Sequence, residues 1–193
     1  MLELYVIRHG QSESNLKKFA CGWAQVNLTE KGYADAKNAG ELLKGITFDR
    51  IIASDLIRAI QTAQTAIPGC EPEQDPLLRE INVGELMYIP VAKCRELYGE
   101  PFNIAWDTRD FTPYKGENVP MHYARSAEFM KKMETVTDDR KIAVFCHEGT
   151  IKNMLGYVLG ADISFYHTTM TNGSVSIFQW DGNLWKLRLW NQV

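Results

Sequence analysis

Two apolar runs, separated by most of the chain, end in the same way. Leu2, Leu4, Val6 and Ile7 lead into Arg8-His9-Gly10, and Ile142 to Phe145 lead into Cys146-His147-Glu148-Gly149. A short apolar run that breaks into a polar, glycine-containing loop is the strand half of a βα unit, so two strands aim two histidines at one sheet edge. In open α/β sheets, ligands bind in the crevice beyond the carboxyl ends of the strands. A cation, an imidazole and a glycine delivered there read as an anion site.

The rest of the pattern extends that frame. It predicts a strand over residues 2–7, a helix over about 31–43, a strand at 50–53, a helix over about 55–66, a helix over about 121–134, a strand at 141–146, a helix over about 150–159, and strands near 174–180 and 184–190. Thr29 is a natural N-cap for the first of these helices, whose Ala34, Ala36, Ala39, Leu42 and Leu43 supply helix formers and apolar contacts. Alternating strands and helices imply a three-layer α/β/α sandwich with a mostly parallel central sheet. Asp181-Gly182 joins the last two strands as a hairpin, which gives the sheet an antiparallel edge. With no repeat, low-complexity segment or linker, the 193 residues form a single domain. Residues 85–119 stand apart. Their many aromatics, among them Tyr88, Phe102, Trp106, Phe111 and Tyr114, follow no sustained period. Such a segment is either a cap over a pocket or a loop packed on the core, and its position between candidate site residues favours the cap, as the seat of substrate choice.

Bulk properties exclude several classes. A net charge of −3 and a pI near 5.8 argue against a broadly basic surface for nucleic acid or anionic membrane, so anion specificity must be local. Cys21, Cys70, Cys94 and Cys146 are widely spaced and form no C-x-x-C pair, which predicts free thiols and a reducing compartment. No basic n-region or bilayer-length apolar stretch occurs, so the expected location is cytoplasmic and no membrane partner is expected. Monomer and homodimer both remain open; the Trp-rich end (Trp180, Trp185, Trp190) suits either pairing or internal packing.

Several side chains carry chemistry. Arg8 offers a planar fork for phosphate or carboxylate, and a neutral His9 is a usable nucleophile. A lone strand-terminal histidine would simply cap a loop. Here Gln11, Ser12 and Asn15 follow within a turn and converge with Arg8 on one point. Ser54-Asp55-Leu56-Ile57-Arg58 repeats the layout, with Ser54 or Asp55 as helix cap and Arg58 on the first turn, aimed at the crevice or lying on the surface beside Asp55. His147 precedes a helix capped at Thr150, so ring and helix N-terminus face one space. Glu80, after Leu77-Leu78-Arg79, is a carboxyl among apolar neighbours that would hold its proton more tightly, which suits a general acid, with Glu85 five residues on. No metal site is expected, because His9, His122, His147 and His167 are scattered and no H-x-x-x-H occurs. Neither G-x-G-x-x-G nor a Walker A loop is present, and no cofactor is expected.

Taken in order, Leu4 to Asn15, Asn27 to Gly32, Ser54 to Ala63, Leu78-Arg79-Glu80, Gly116-Glu117-Asn118 and Cys146 to Thr150 resemble the histidine phosphatase superfamily, the phosphoglycerate mutase-like family, over nearly the whole chain. The resemblance implies that family's fold, and that His9 takes the phosphoryl group as phosphohistidine. It implies that Arg8, Arg58 and His147 bind the equatorial oxygens with Asn15 as a further donor, and that Glu80 is general acid and then base. It further implies that Cys21, Gly22 and Glu148 lie where substrate is touched. Two departures stand out: Gly84-Glu85 is followed by Leu86-Met87-Tyr88 where the family often has Trp-Glu-Gly, and Glu148 replaces a frequent glycine. An inward Glu148 would repel phosphate, so its side chain is expected to point outward. Three functions follow: a metal-independent phosphomonoesterase acting on a small cytosolic phosphorylated metabolite, a 2,3-bisphosphoglycerate-dependent phosphoglycerate mutase, or a non-catalytic phosphate-binding module. The mutases are expected to be longer, and the aromatic segment suits an organic leaving group, which favours the phosphatase.

Overall fold

The computed structural model describes residues 1–138, 140–161 and 168–193; His167 lies outside them. A six-stranded sheet runs β3-β2-β4-β1-β5-β6, built from β1 (Leu2–Arg8), β2 (Arg50–Ala53), β3 (Glu73–Gln74), β4 (Lys141–Cys146), β5 (Val175–Trp180) and β6 (Trp185–Gln192). β1, β2, β3 and β4 pair in parallel, and β5 and β6 close one edge antiparallel. The expected sandwich and its antiparallel edge are therefore present.

Side-chain alternation along the parallel strands feeds two cores, as a sheet covered on both faces requires. Leu4 and Val6 of β1 and Ile142 and Val144 of β4 pack with Phe129, Met130 and Met133 of α6 (Val119–Glu134) and with Ile151, Met154 and Leu155 of α7 (Glu148–Leu159). Tyr5, Ile7, Ala143 and Phe145 face the other way, against Ala39 of α2 (Glu30–Leu42) and Ala63 and Ala66 of α3 (Ile57–Ala66). Thr29 caps α2 by accepting from the Gly32 N–H.

Three local expectations change. α3 begins at Ile57 with Leu56 in the cap position, so neither Ser54 nor Asp55 caps it; Asp55 pairs with Arg79. α7 begins at Glu148 with His147 as the capping residue, two residues before Thr150, which lies inside the helix. Residues 85–119 contain two short helices, α4 (Val91–Tyr98) and α5 (Glu100–Thr108). These bury Cys94, Phe102 and Ala105 with Phe111 and Tyr114 in a small third cluster shared with Ala20, Ile81 and Val83. A short helix that buries one or two side chains on a local cluster leaves no sustained period to read. A five-residue helix, α1 (Glu13–Lys17), follows β1. All four cysteines are free.

Candidate active site

β1 and β4 run parallel in register, with Arg8 beside Cys146, so the residues just past each strand are neighbours. The His9 and His147 rings meet edge to face, 5.2 Å between centroids. The turn after β1 is held tightly: Gly10 N–H donates to Thr62 Oγ1 at 3.1 Å, and Thr62 hydroxyl donates to the Arg58 carbonyl at 2.7 Å. A Cβ on Gly10 would overlap the Gly32 carbonyl, and one on Gly32 would overlap the Gln11 carbonyl. The two glycines let the start of α2 pack directly on the turn that presents His9.

A cavity of ≈ 480 Å³ opens at this edge. Arg8, His9, Asn15, Cys21, Gly22, Arg58, Glu80 and Glu148 all contribute to its wall. His147 does not; it is fully buried behind His9. His9 Nδ1 lies 2.7 Å from the Gly10 carbonyl oxygen, which can only accept, so Nδ1 carries the proton and Nε2 holds the ring's lone pair. Burial, with the Arg58 and Arg8 charges adding to it, holds the His9 pKa well below the usual imidazole value. Burial, then Arg58 and His9, does the same to His147.

The arginines are anchored in different ways. Arg58 is 1% exposed, not a surface residue beside Asp55, and its terminal nitrogens donate to the Ala24 and Gly22 carbonyls at 2.9 Å. That fixes both the guanidinium and the 22–24 loop. Arg8 donates through Nη1 to the Met170 carbonyl, while its Nε is buried with no partner among the described residues. Its Nη2 pairs with Glu148 Oε2 at 3.0 Å. Glu148 thus turns inward, contrary to the outward expectation, and its other oxygen pairs with Lys152 at 2.7 Å. The physical reason is the earlier start of α7: Glu148 sits on its first turn, four residues before Lys152, between two cations that offset its charge.

Glu80 is oriented by backbone. Oε1 accepts from Ile81 N–H at 2.9 Å and Oε2 from Gly149 N–H at 3.1 Å. Its own carbonyl accepts from Trp23 Nε1 at 2.7 Å and Arg125 Nη2 at 3.2 Å. Arg125 also binds the Arg79 carbonyl and the Glu117 carboxylate, each at 2.8 Å. Although burial opposes it, the Arg125 pairing and the Asn82 N–H hold Glu117 below the usual carboxylate range. Asn15 Oδ1 accepts from the Ser12 N–H and hydroxyl, which commits the oxygen and leaves the NH₂ end to donate.

Sequence reasoning missed four supports: Ser54, whose hydroxyl meets His147 Nε2 at 2.9 Å, and Arg125, Lys152 and Arg109. Ser54 does stand at a strand end, which is a positional signal. The other three sit on or after helices with nothing local to mark them. Among the described residues, no group of three or more His, Cys, Asp or Glu side chains is placed to hold a metal ion, and no helix is long and apolar enough to cross a membrane. Chemically, the wall presents a lone-pair nitrogen, two anchored guanidiniums and a held carboxyl, a set suited to taking a phosphoryl group.

Comparison with known proteins agrees with that chemistry. A family model described as the histidine phosphatase superfamily (branch 1) matches residues 4–193. An adenosylcobalamin/alpha-ribazole phosphatase from Salmonella typhi is 28% identical, with 89% of this chain and 87% of that protein aligned. A 2,3-bisphosphoglycerate-dependent phosphoglycerate mutase from Cytophaga hutchinsonii is 31% identical over 94% of this chain and 89% of its own length. The mutase of Corynebacterium diphtheriae is 39% identical over 58% of this chain, which spans about half (48%) of that protein. The Corynebacterium mutase is therefore longer than this chain, as expected of mutases, whereas the Cytophaga mutase aligns over most of its own length. The alpha-ribazole phosphatase structure from Shigella flexneri superposes with a TM-score of 0.91 at 24% identity, over 99% of this chain and 96% of that one, a likeness of fold.

Proposed function

The chain belongs to the histidine phosphatase superfamily, and from that premise we propose that it is a metal-independent phosphomonoesterase acting through a phosphohistidine on a small phosphorylated metabolite. The observation that carries the reading is the tautomer of His9: with Nδ1–H spent on the Gly10 carbonyl, Nε2 is the nucleophile. Nε2 attacks phosphorus as the P–O bond to the leaving group breaks, and Glu80 gives its proton to the departing oxygen. Glu80 then takes a proton from water, which attacks the phosphohistidine, breaks the P–N bond and releases inorganic phosphate. Arg8 and Arg58 bear the charge on the equatorial oxygens. Behind His9, Ser54 Oγ lies 2.9 Å from His147 Nε2 and holds that ring in place. Residues 85–119 act as the cap, supplying Trp106, Arg109 and Phe111 to the cavity wall.

The mutase reading keeps the same phosphohistidine but returns the phosphoryl group to a hydroxyl; likeness to mutases over most of the chain favours it. Phosphate release from a panel of phosphomonoesters, with EDTA present, separates the two. Release that survives chelation and vanishes in His9→Ala is the expected result. Isomerised phosphoglycerate without free phosphate would replace the phosphatase by the mutase, and neither product would leave a binding module.

A further inference from the structure

Among the described residues, four cations line the cavity, and three of them have carboxylate or carbonyl partners there. Arg8 is held by Met170 and Glu148, Arg58 by two loop carbonyls, and Lys152 pairs with Glu148. Arg109 differs. It terminates α5 in the left-handed region, with φ 56°, which carries its side chain back over the Trp106 ring, 4.8 Å from the centroid. Among the described residues no carboxylate or carbonyl meets it, and its Nε is buried with no hydrogen-bond partner. A desolvated donor on a charged group is costly until an acceptor arrives. Stacked on an indole face, the guanidinium fork is also pre-organised to receive one bidentately.

The charges at the site sort themselves accordingly. Arg8 and Arg58 answer a phosphoryl group, Lys152 answers Glu148, and Arg109 is left over, on the wall that also carries Trp106 and Phe111. We propose that the leaving group of the phosphomonoester bears a second anionic group, a carboxylate or a phosphate, that Arg109 binds while the body of the leaving group lies against Trp106 and Phe111. This rests on the phosphomonoesterase reading and adds to it a substrate class: compounds with an anion at both ends.

Matched substrates test it. Wild type, Arg109→Gln and Arg109→Lys are assayed on phenyl phosphate, 4-carboxyphenyl phosphate and 1,4-phenylene bisphosphate, and on glycerol 3-phosphate against 3-phosphoglycerate. Arg109→Gln is expected to lose about tenfold or more in kcat/KM, mainly through KM, on a doubly anionic member of these sets. The neutral members stay within about twofold and Arg109→Lys recovers part of the loss. A loss confined to the carboxylates or to the bisphosphate supports the inference and names the anion. Equal losses on charged and neutral members, or none on either, overturn this inference alone. No turnover of any of these compounds by the wild type overturns the hydrolytic reading, and this inference with it.

Discussion

Glu148 places a carboxylate 3.0 Å from Arg8, on one of the two guanidiniums proposed to hold the phosphoryl group. On that proposal the carboxylate and the phosphoryl oxygens would compete for one fork, with Lys152 pairing with the carboxylate at 2.7 Å. Glu148→Gln keeps the shape and removes the charge. It is expected to tighten inhibition by inorganic phosphate by about three- to tenfold, within the range of a single exposed-to-buried ion pair. Weaker inhibition would mean that the carboxylate serves to aim Arg8. His9 carries a second expectation at this scale. Burial first, then Arg58 and Arg8, disfavours its charged form, so the ring should remain neutral as pH falls through 6.5, where a free imidazole would protonate. Ring-nitrogen NMR between pH 7.5 and 5 checks this, and a midpoint at 6.5 would contradict it.

At the scale of elements, the start of α2 and the turn after β1 interlock through glycines, since either Cβ would strike backbone. Gly10→Ala must push α2 away or bend the turn, at a cost of about 1–3 kcal/mol typical of overpacking. Urea unfolding should register that cost, and activity should fall further because the displaced turn carries His9. Much at this scale is readable from sequence. β1 and β4 are dominated by apolar residues, and Thr29 caps α2 as its residue type suggests. The failures share a cause. Ser54 and Thr150 are good capping types, yet each is drawn into a tertiary bond instead: Ser54 to His147, and Thr150 to the Arg79 carbonyl at 2.9 Å. Capping propensity is local, and a competing partner from another element is invisible to it. Arg58 was ambiguous for the same reason, because its acceptors lie 34 and 36 residues away.

For the whole molecule, pH enters through three buried histidines. Burial and then Arg125 lower His122 to about 3, and His9 and His147 are likewise depressed. Below pH 6.5 the unfolded chain binds protons that the folded chain refuses, so stability rises with pH across the window from about 3 to 6.5. Each such histidine contributes a slope approaching about 1.4 kcal/mol per pH unit. Urea-unfolding free energies at pH 7.5, 6.5 and 5.5 should fall across the first interval and fall about three times as much across the second; a flat second interval would mean that the rings are solvated. The architecture, sheet edge and most of the candidate cavity wall follow from strand pattern and ordered motifs. The inward Glu148 depends on how separate elements meet, which no local pattern encodes.

The pairing of β1 with β4 has a kinetic consequence. Arg8 and Cys146 are neighbours in the sheet although 138 positions apart, so the His9–His147 contact cannot exist until the two ends of the chain have found each other. Loop closure over that span is slow and must precede any reward from the contact. Regain of function on refolding should therefore coincide with the slowest folding phase rather than with early helix formation, and a fragment ending before β4 should recover none of it.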